Sequence, residues 1–103
     1  MSERLKKLLS MLEKSPNDAF LLYGAGIEHK NAGEHAAALK FMDRTLEVDP
    51  GYCYAYFQKG QIQEMTGDTM RAKIAYEEGI VASRKKGDAH AESEISGALQ
   101  MLD

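Results

Sequence analysis

The chain has no tryptophan, one cysteine and two prolines among its 103 residues. The single cysteine, Cys53, excludes an internal disulfide framework and is typical of a reducing compartment. No apolar run approaches the roughly 20 residues that cross a bilayer, and the N-terminus lacks the apolar segment of a signal peptide. We therefore expect a cytoplasmic protein that does not act at a membrane.

An excess of positive charge and the usual signs of catalysis are also missing, and the one basic run, Arg84-Lys85-Lys86, is interpreted as a charge cluster at a helix end, with a phosphate site as the alternative. Lysine and arginine number 13 against 16 aspartates and glutamates, a formal net charge of −3, which argues against a nucleic-acid partner. The histidines, His29, His35 and His90, do not share a helix face at the spacing that a metal site uses. There is no glycine-rich phosphate loop and no nucleophile beside a base. We expect no cofactor, no metal site and no enzymatic activity.

What the chain does contain is a repeat of 34 residues. Small residues, turn residues and large apolar residues recur at this interval, as in Pro16 and Pro50, Gly26 and Gly60, Gly33 and Gly67, Ala38 and Ala72, and Met42 and Tyr76. A fixed interval of this kind is typical of stacked repeats, in which each unit needs a neighbour to bury its apolar face.

Apolar periodicity and capping residues predict six helices and no strand. The first spans 3–14 and ends before Pro16, because the residue that precedes a proline disfavours helical geometry. The others are expected over 18–32, 34–48, 52–66, 69–86 and 88–102, separated by short linkers. Asn17 or Asp18, Asp68 and Asp88 are expected to cap three of them, and Tyr76 and Val81 are expected in the buried apolar stripe of the fifth helix. Short linkers make successive helices antiparallel neighbours. The sequence therefore predicts one all-α domain over 1–103, an α-solenoid of six antiparallel helices.

The residues at these phased positions make the chain resemble the tetratricopeptide repeat (TPR) family, whose unit is a helix-turn-helix of 34 residues. The resemblance implies two complete repeats, at 19–52 and 53–86. Residues 3–14 would then be an N-terminal half-repeat helix, and 88–102 a C-terminal capping helix. The departures from the family pattern fall at three kinds of position. An aromatic residue is usual at Leu22, His29 and Gln63, and leucine is usual at Ala25 and Lys59. Arg84 stands where Pro50 of the first repeat would predict a proline.

In this family the first helix of each repeat lines a concave groove. The resemblance thus implies a partner-binding groove with these residues: Phe20, Tyr23, Ile27, Asn31, Tyr54, Phe57, Gln61, Glu64 and Ile95. Asp88, Ala91 and Glu92 would extend it from the last helix. The function implied is a non-catalytic protein–protein interaction module that holds a peptide or helical segment among aromatic side chains. The alternative is that several of these apolar side chains are simply buried between helices.

The groove chemistry also bears on the partner. Some family members bind acidic C-terminal tails through a clamp of lysine, asparagine and arginine, but the matching positions carry no clamp cation: Tyr23, Ile27, Gln58, Asp88 and Glu92. We expect a neutral or basic partner. A second hypothesis is a self-assembling scaffold protein, a homo-oligomer formed through the groove or the terminal helices. The sequence leaves open whether the groove or the convex face is used.

Overall fold

The computed structural model describes residues 1–102, and within that range all regular structure is helical. Six helices follow one another: α1 (Glu3–Lys14), α2 (Ala19–Asn31), α3 (His35–Val48), α4 (Cys53–Met65), α5 (Thr69–Lys86) and α6 (Ala89–Gln100). The prediction of an all-α helical repeat is confirmed. The chain divides into two compact units of three helices each, the first spanning Met1–Asp49 and the second beginning at Pro50.

Side-chain caps fix where most of these helices begin. Asp18 accepts a hydrogen bond from the backbone N–H of Leu21, and Asp88 accepts one from Ala91, so each aspartate satisfies an amide that the first helical turn leaves unpaired. Asp68 and Ser2 do the same for α5 and α1. The capping roles predicted for Asp68 and Asp88 are confirmed, and of the two candidates for α2, Asn17 and Asp18, it is Asp18 that caps the helix.

Three glycines in left-handed conformation end α2, α4 and α5: Gly33 (φ 75°), Gly67 (φ 81°) and Gly87 (φ 75°). At each turn the amide after the glycine bonds back to a carbonyl in the last helical turn; that of Asp88, for example, reaches Ser83 O at 2.9 Å. The turn at Gly87 is thus of the same type as the two repeat turns, and a non-glycine residue would be strained at any of the three.

The core of the first unit is built from leucine. Leu5, Leu8 and Leu12 of α1 are buried against Leu21, Leu22 and Ala25 of α2, and Leu9 and Phe41 pack on the edge of this cluster. The leucine spacing in α1 places these side chains on one side of the helix, which is why a short helix can cover α2. This arrangement leaves the opposite side of α2 outside the leucine core.

In the second unit, α5 packs between α4 and α6. Ala72 and Tyr76 of α5 are buried with Ile95 of α6, and the half-buried side chains of Phe57, Ile80, Ala98, Leu99 and Leu102 pack around them. Two predictions about α5 meet different outcomes. Tyr76 is a core residue as predicted, but Val81, which was expected in the same buried stripe, is 64% exposed because it lies on the opposite side of the helix.

Candidate binding faces on two helices

The outward side of α2 carries four of the predicted groove residues. We call it the α2 face: Phe20, Tyr23, Ile27 and Asn31. Their spacing places them on one side of the helix, and none is buried. Phe20 is 69% exposed, whereas Tyr23 and Ile27 are half-buried. The opposite side of α2 holds Leu21, Leu22, Ala25 and Gly26, all buried, so the helix is divided into a core side and an accessible side.

A pocket of about 280 Å³, with a lining of mixed polar and apolar residues, adjoins the C-terminal end of the α2 face. Asn31 and Glu28 line it together with residues from the beginning of α1. The Glu28 carboxylate accepts a hydrogen bond from Ser2 Oγ at 3.2 Å and lies 3.4 Å from Arg4 Nε. The negative charge of Glu28 is therefore partly balanced. On the α2 face itself, the exposed side chain of Phe20 is the main apolar feature.

In the second unit the corresponding surface is the α4 face: Tyr54, Phe57, Gln61 and Glu64. Tyr54, Phe57 and Gln61 are half-buried and Glu64 is exposed. The Tyr54 and Phe57 rings meet edge to face with centroids 6.4 Å apart, and Phe57 lies 6.2 Å from the ring of Tyr76. Such ring contacts are favourable. The buried Tyr76 thereby anchors Phe57, so the α4 face presents aromatic rings in a fixed arrangement.

The rings of Tyr54, Phe57 and Tyr76 form an aromatic row, and a carboxylate lies at each end of it. Tyr54 Oη donates to Glu94 Oε1 at 3.4 Å, and His90 Nε2 lies 2.6 Å from the same oxygen. At the other end, the hydroxyl of Tyr76 donates to Glu64. The row of aromatic rings is therefore bounded by two acidic groups.

Both tyrosine hydroxyls in this row are held protonated. Burial raises the pKa of Tyr76, and its hydrogen bond to Glu64 raises it further. Desolvation raises the pKa of Tyr54, with the nearby negative charges of Glu94 and Asp88 acting in the same direction. The tyrosines therefore act as hydrogen-bond donors, and neither is disposed to act as a base or a nucleophile near neutral pH.

The structure corrects the prediction for α6. Ile95 was expected to line the groove, but it is completely buried with Ala72 and Tyr76, so its side chain belongs to the core. Ala91, one turn earlier, is buried as well. The residue that α6 does bring to the α4 face is Glu94, which sequence reasoning missed. The apolar spacing of Ala91 and Ile95 is the signal that could have assigned Ile95 to the core.

Other kinds of site find no support in the part of the chain that the structure describes. Over residues 1–102, no three histidine, cysteine, aspartate or glutamate side chains come together as metal ligands would. None of the six helices combines the length and apolar character needed to span a membrane. Cys53 is 3% exposed, and its Sγ donates to the carbonyl of Gly51 at 3.3 Å.

The comparisons with known proteins agree with this architecture. A family model described as tetratricopeptide repeat matches residues 41–74. The TPR repeat-containing protein PA0015 of Pseudomonas aeruginosa is 33% identical over 103 residues, which is all of this chain and 95% of that protein. The crystal structure of a tetratricopeptide repeat domain protein from Salinibacter ruber is similar with a TM-score of 0.75 and 29% identity, covering 81% of this chain and 92% of that one. The solution structure of protein BPP2914 from Bordetella parapertussis has a TM-score of 0.83 and 26% identity, covering 97% and 87%.

Proposed function

We propose, from the premise that this chain belongs to the tetratricopeptide repeat family, that it binds a short segment of another protein on its α4 face. Proteins of this family are generally non-catalytic modules for protein–protein interaction or scaffolding. The observation that supports binding on the α4 face is the aromatic row, in which Tyr54 and Phe57 are half-buried. The carboxylates of Glu94 and Glu64 bound this row.

The chemistry of this row defines the segment that fits it. An aromatic or aliphatic side chain of the ligand would pack against the edge of Phe57, because that ring is already held by Tyr54 and Tyr76 and loses little freedom on binding. A lysine or arginine next to it would meet Glu94 or Glu64 at the ends of the row, with the aromatic rings nearby. We therefore propose a ligand segment that combines apolar anchors with basic residues.

The α2 face is proposed as a second contact surface of the same kind. Phe20 is the most exposed aromatic side chain of the two faces, and the half-buried Tyr23 and Ile27 continue its apolar surface along the helix. Large aromatic anchors contribute most of the binding energy in many interfaces. The shared groove expected from the family stays a prediction.

Selection of random displayed peptides on the immobilised protein tests the proposal. Enrichment of peptides with apolar and basic residues is expected. The selected peptide should then bind the Tyr54→Ala variant at least about tenfold more weakly, which corresponds to the loss of about 1.4 kcal/mol of binding free energy. Fluorescence anisotropy gives the affinity, and circular dichroism verifies that the helices are retained.

A matched control is Met101→Ala, which removes an 84% exposed apolar side chain outside both faces and should leave the affinity unchanged. Phe20→Ala tests the α2 face separately. The proposal for the α4 face is contradicted if the selected peptides are mainly acidic, or if Tyr54→Ala binds them as tightly as the wild type. The α2 face is excluded as a second contact surface if Phe20→Ala binds them as tightly as the wild type.

A further inference from the structure

Helix α5 has apolar residues on two opposite sides. One side, with Ala72, Tyr76 and Gly79, is buried in the core of the second unit. The other carries what we call the α5 outer stripe: Met70, Ile74 and Val81, which are 76%, 50% and 64% exposed. Their spacing of four and seven residues places them on one line along the helix. A helix at the surface normally needs only one apolar side.

The repeat itself does not require this stripe. The residues 34 positions earlier, on the same side of α3, are Ala36, Lys40 and Glu47, and all three are exposed. The two helices hold the same place in the repeat and both expose this side, yet only α5 makes it apolar. The α5 outer stripe is therefore a property of this helix and not of the fold.

Charged residues border the stripe, and their sign changes from positive to negative along the helix. Arg71 and Lys73 lie near its N-terminal end, Glu77 and Glu78 near its middle, and all four are exposed. Arg71 lies 3.5 Å from Asp68, but this ion pair is open to solvent and contributes little stability. The positions on this side of the helix are four, three and four residues apart, which is the spacing by which helices pair side by side. They are Met70, Ile74, Glu77 and Val81.

We propose that the α5 outer stripe joins two copies of this chain through an antiparallel contact between their α5 helices. In the antiparallel direction, Met70 lies opposite Val81 of the second copy. Arg71 then faces Glu78 of the second copy, and Lys73 lies next to its Glu77. Two-fold symmetry repeats each of these contacts, so two copies of the one stripe are complementary to each other.

The parallel direction is less favourable by the same reasoning. It brings the side of α5 that carries Arg71 against the side that carries Lys73, so Lys73 can meet Glu78 of the second copy, but Arg71 faces no acidic residue there. The antiparallel direction brings both cations to acidic residues, so the charge order supports a second copy as the occupant and favours the antiparallel contact. Because the stripe has three apolar side chains and Glu77 interrupts it, the dimer is weak and depends on protein concentration.

Grafting the outer side of α3 onto α5 tests the contact. The triple variant Met70→Ala, Ile74→Lys, Val81→Glu carries the residues that the first repeat has at these positions, and all three sites are on the surface, so the helical content should be retained. In sedimentation velocity over a wide concentration range, the wild type should shift from monomer to dimer while the variant stays monomeric. Phe20→Ala is the matched control and should dimerise like the wild type.

Charge reversal tests the antiparallel direction. Arg71→Glu alone places glutamates opposite Glu78, and Glu78→Arg alone places arginines opposite Arg71, so each variant should dimerise at least about tenfold more weakly than the wild type. An equimolar mixture of the two variants restores opposite charges at every contact and should form a mixed dimer. That recovery cannot come from a general loss of stability in either variant.

A wild type that remains monomeric at every concentration overturns the proposal. So does a dimer that the triple variant forms as readily as the wild type, or one that Phe20→Ala abolishes while the triple variant retains it. Failure of peptide binding to the α4 face has no bearing on these outcomes, because the sedimentation experiment contains no peptide.

Discussion

In each repeat the two helices cross at a glycine, but a different side chain packs against that glycine in the two repeats. In the first, Gly26 of α2 faces Met42: a Cβ added to this glycine would lie 2.7 Å from Met42 Cε, the mobile end of a flexible side chain. In the second, Gly60 of α4 faces Tyr76, and an added Cβ would lie 2.3 Å from ring atom Cε1. A methionine can rotate away, whereas a buried ring cannot. Equivalent glycines in one repeat pattern are thus constrained to different degrees.

The largest expected effect follows directly from this difference. Gly60→Ala should lower the free energy of unfolding by about 3 kcal/mol, because the new methyl group overlaps the Tyr76 ring and the core must expand. Gly26→Ala should change it by less than about 1 kcal/mol, because Met42 can move and alanine favours the helix by up to about 1 kcal/mol. Urea denaturation monitored by circular dichroism measures both.

A second substitution in the same crossing provides the control. Adding Tyr76→Met to Gly60→Ala gives the second repeat the flexible partner of the first and should recover part of the lost stability. Equal losses for the two single variants would show that the ring adapts as easily as the methionine and would remove the proposed distinction.

The helix ends were predictable from the sequence because their causes are local. Capping by Asp18, Asp68 and Asp88, and the glycines in the turns, place each boundary within a residue or two of the one observed. The side of a helix that is buried depends on its neighbours, which is why Val81 was wrongly assigned to a buried stripe. A 3.6-residue apolar period is compatible with more than one rotation of the helix about its axis, so the period alone does not decide which side is buried.

The candidate site was predictable in part for the same reason. The family resemblance placed Tyr54 and Phe57 on one surface, and their spacing within one helix agrees with the shared α4 face. Their role in binding a partner stays a prediction. Glu94 and the hydroxyl of Tyr76 come from α6 and α5, and no periodicity within α4 indicates them. Ile95 was misplaced because its position in a family groove was given more weight than its place in the apolar stripe of its own helix.

The next largest effect is a dependence of stability on alkaline pH, which Tyr76 gives to the second repeat only. Tyr76 has a raised pKa in the folded protein, so folding is favoured while the hydroxyl stays protonated. The stability that depends on this proton is fully present below the ordinary tyrosine pKa of about 10 and is lost as the pH rises above it, by up to about 1.4 kcal/mol per pH unit. Met42, the equivalent residue in the first repeat, has no proton to lose.

Urea denaturation at several alkaline pH values measures this loss, and Tyr76→Phe is the variant to compare. Phenylalanine keeps the ring in its contact with Gly60 but cannot ionise, so the decline above pH about 10 should be shallower than in the wild type. A variant whose stability falls as steeply as that of the wild type would show that other groups cause the alkaline loss.

The smallest expected effect concerns His29 and Gln63, which also occupy equivalent positions in the two repeats. His29 is well contacted: its Nδ1 lies 3.0 Å from Glu34 Oε1, and its ring stacks on Phe41 at 5.2 Å. Gln63 is 7% exposed, and its Oε1 has no hydrogen-bond partner among the residues that the structure describes. A buried polar atom without a partner costs stability, so the second repeat carries a defect that the first does not.

The same substitution should therefore have opposite effects at the two positions. Gln63→Met keeps a long unbranched side chain while removing the buried oxygen, and should raise the free energy of unfolding by about 1 kcal/mol. His29→Met loses the contacts with Glu34 and Phe41 and should lower it by about 0.5–1 kcal/mol. Thermal and urea denaturation near neutral pH compare the two variants with the wild type. A loss of stability in Gln63→Met would mean that the amide makes a contact worth more than its burial costs, and the two positions would then be alike.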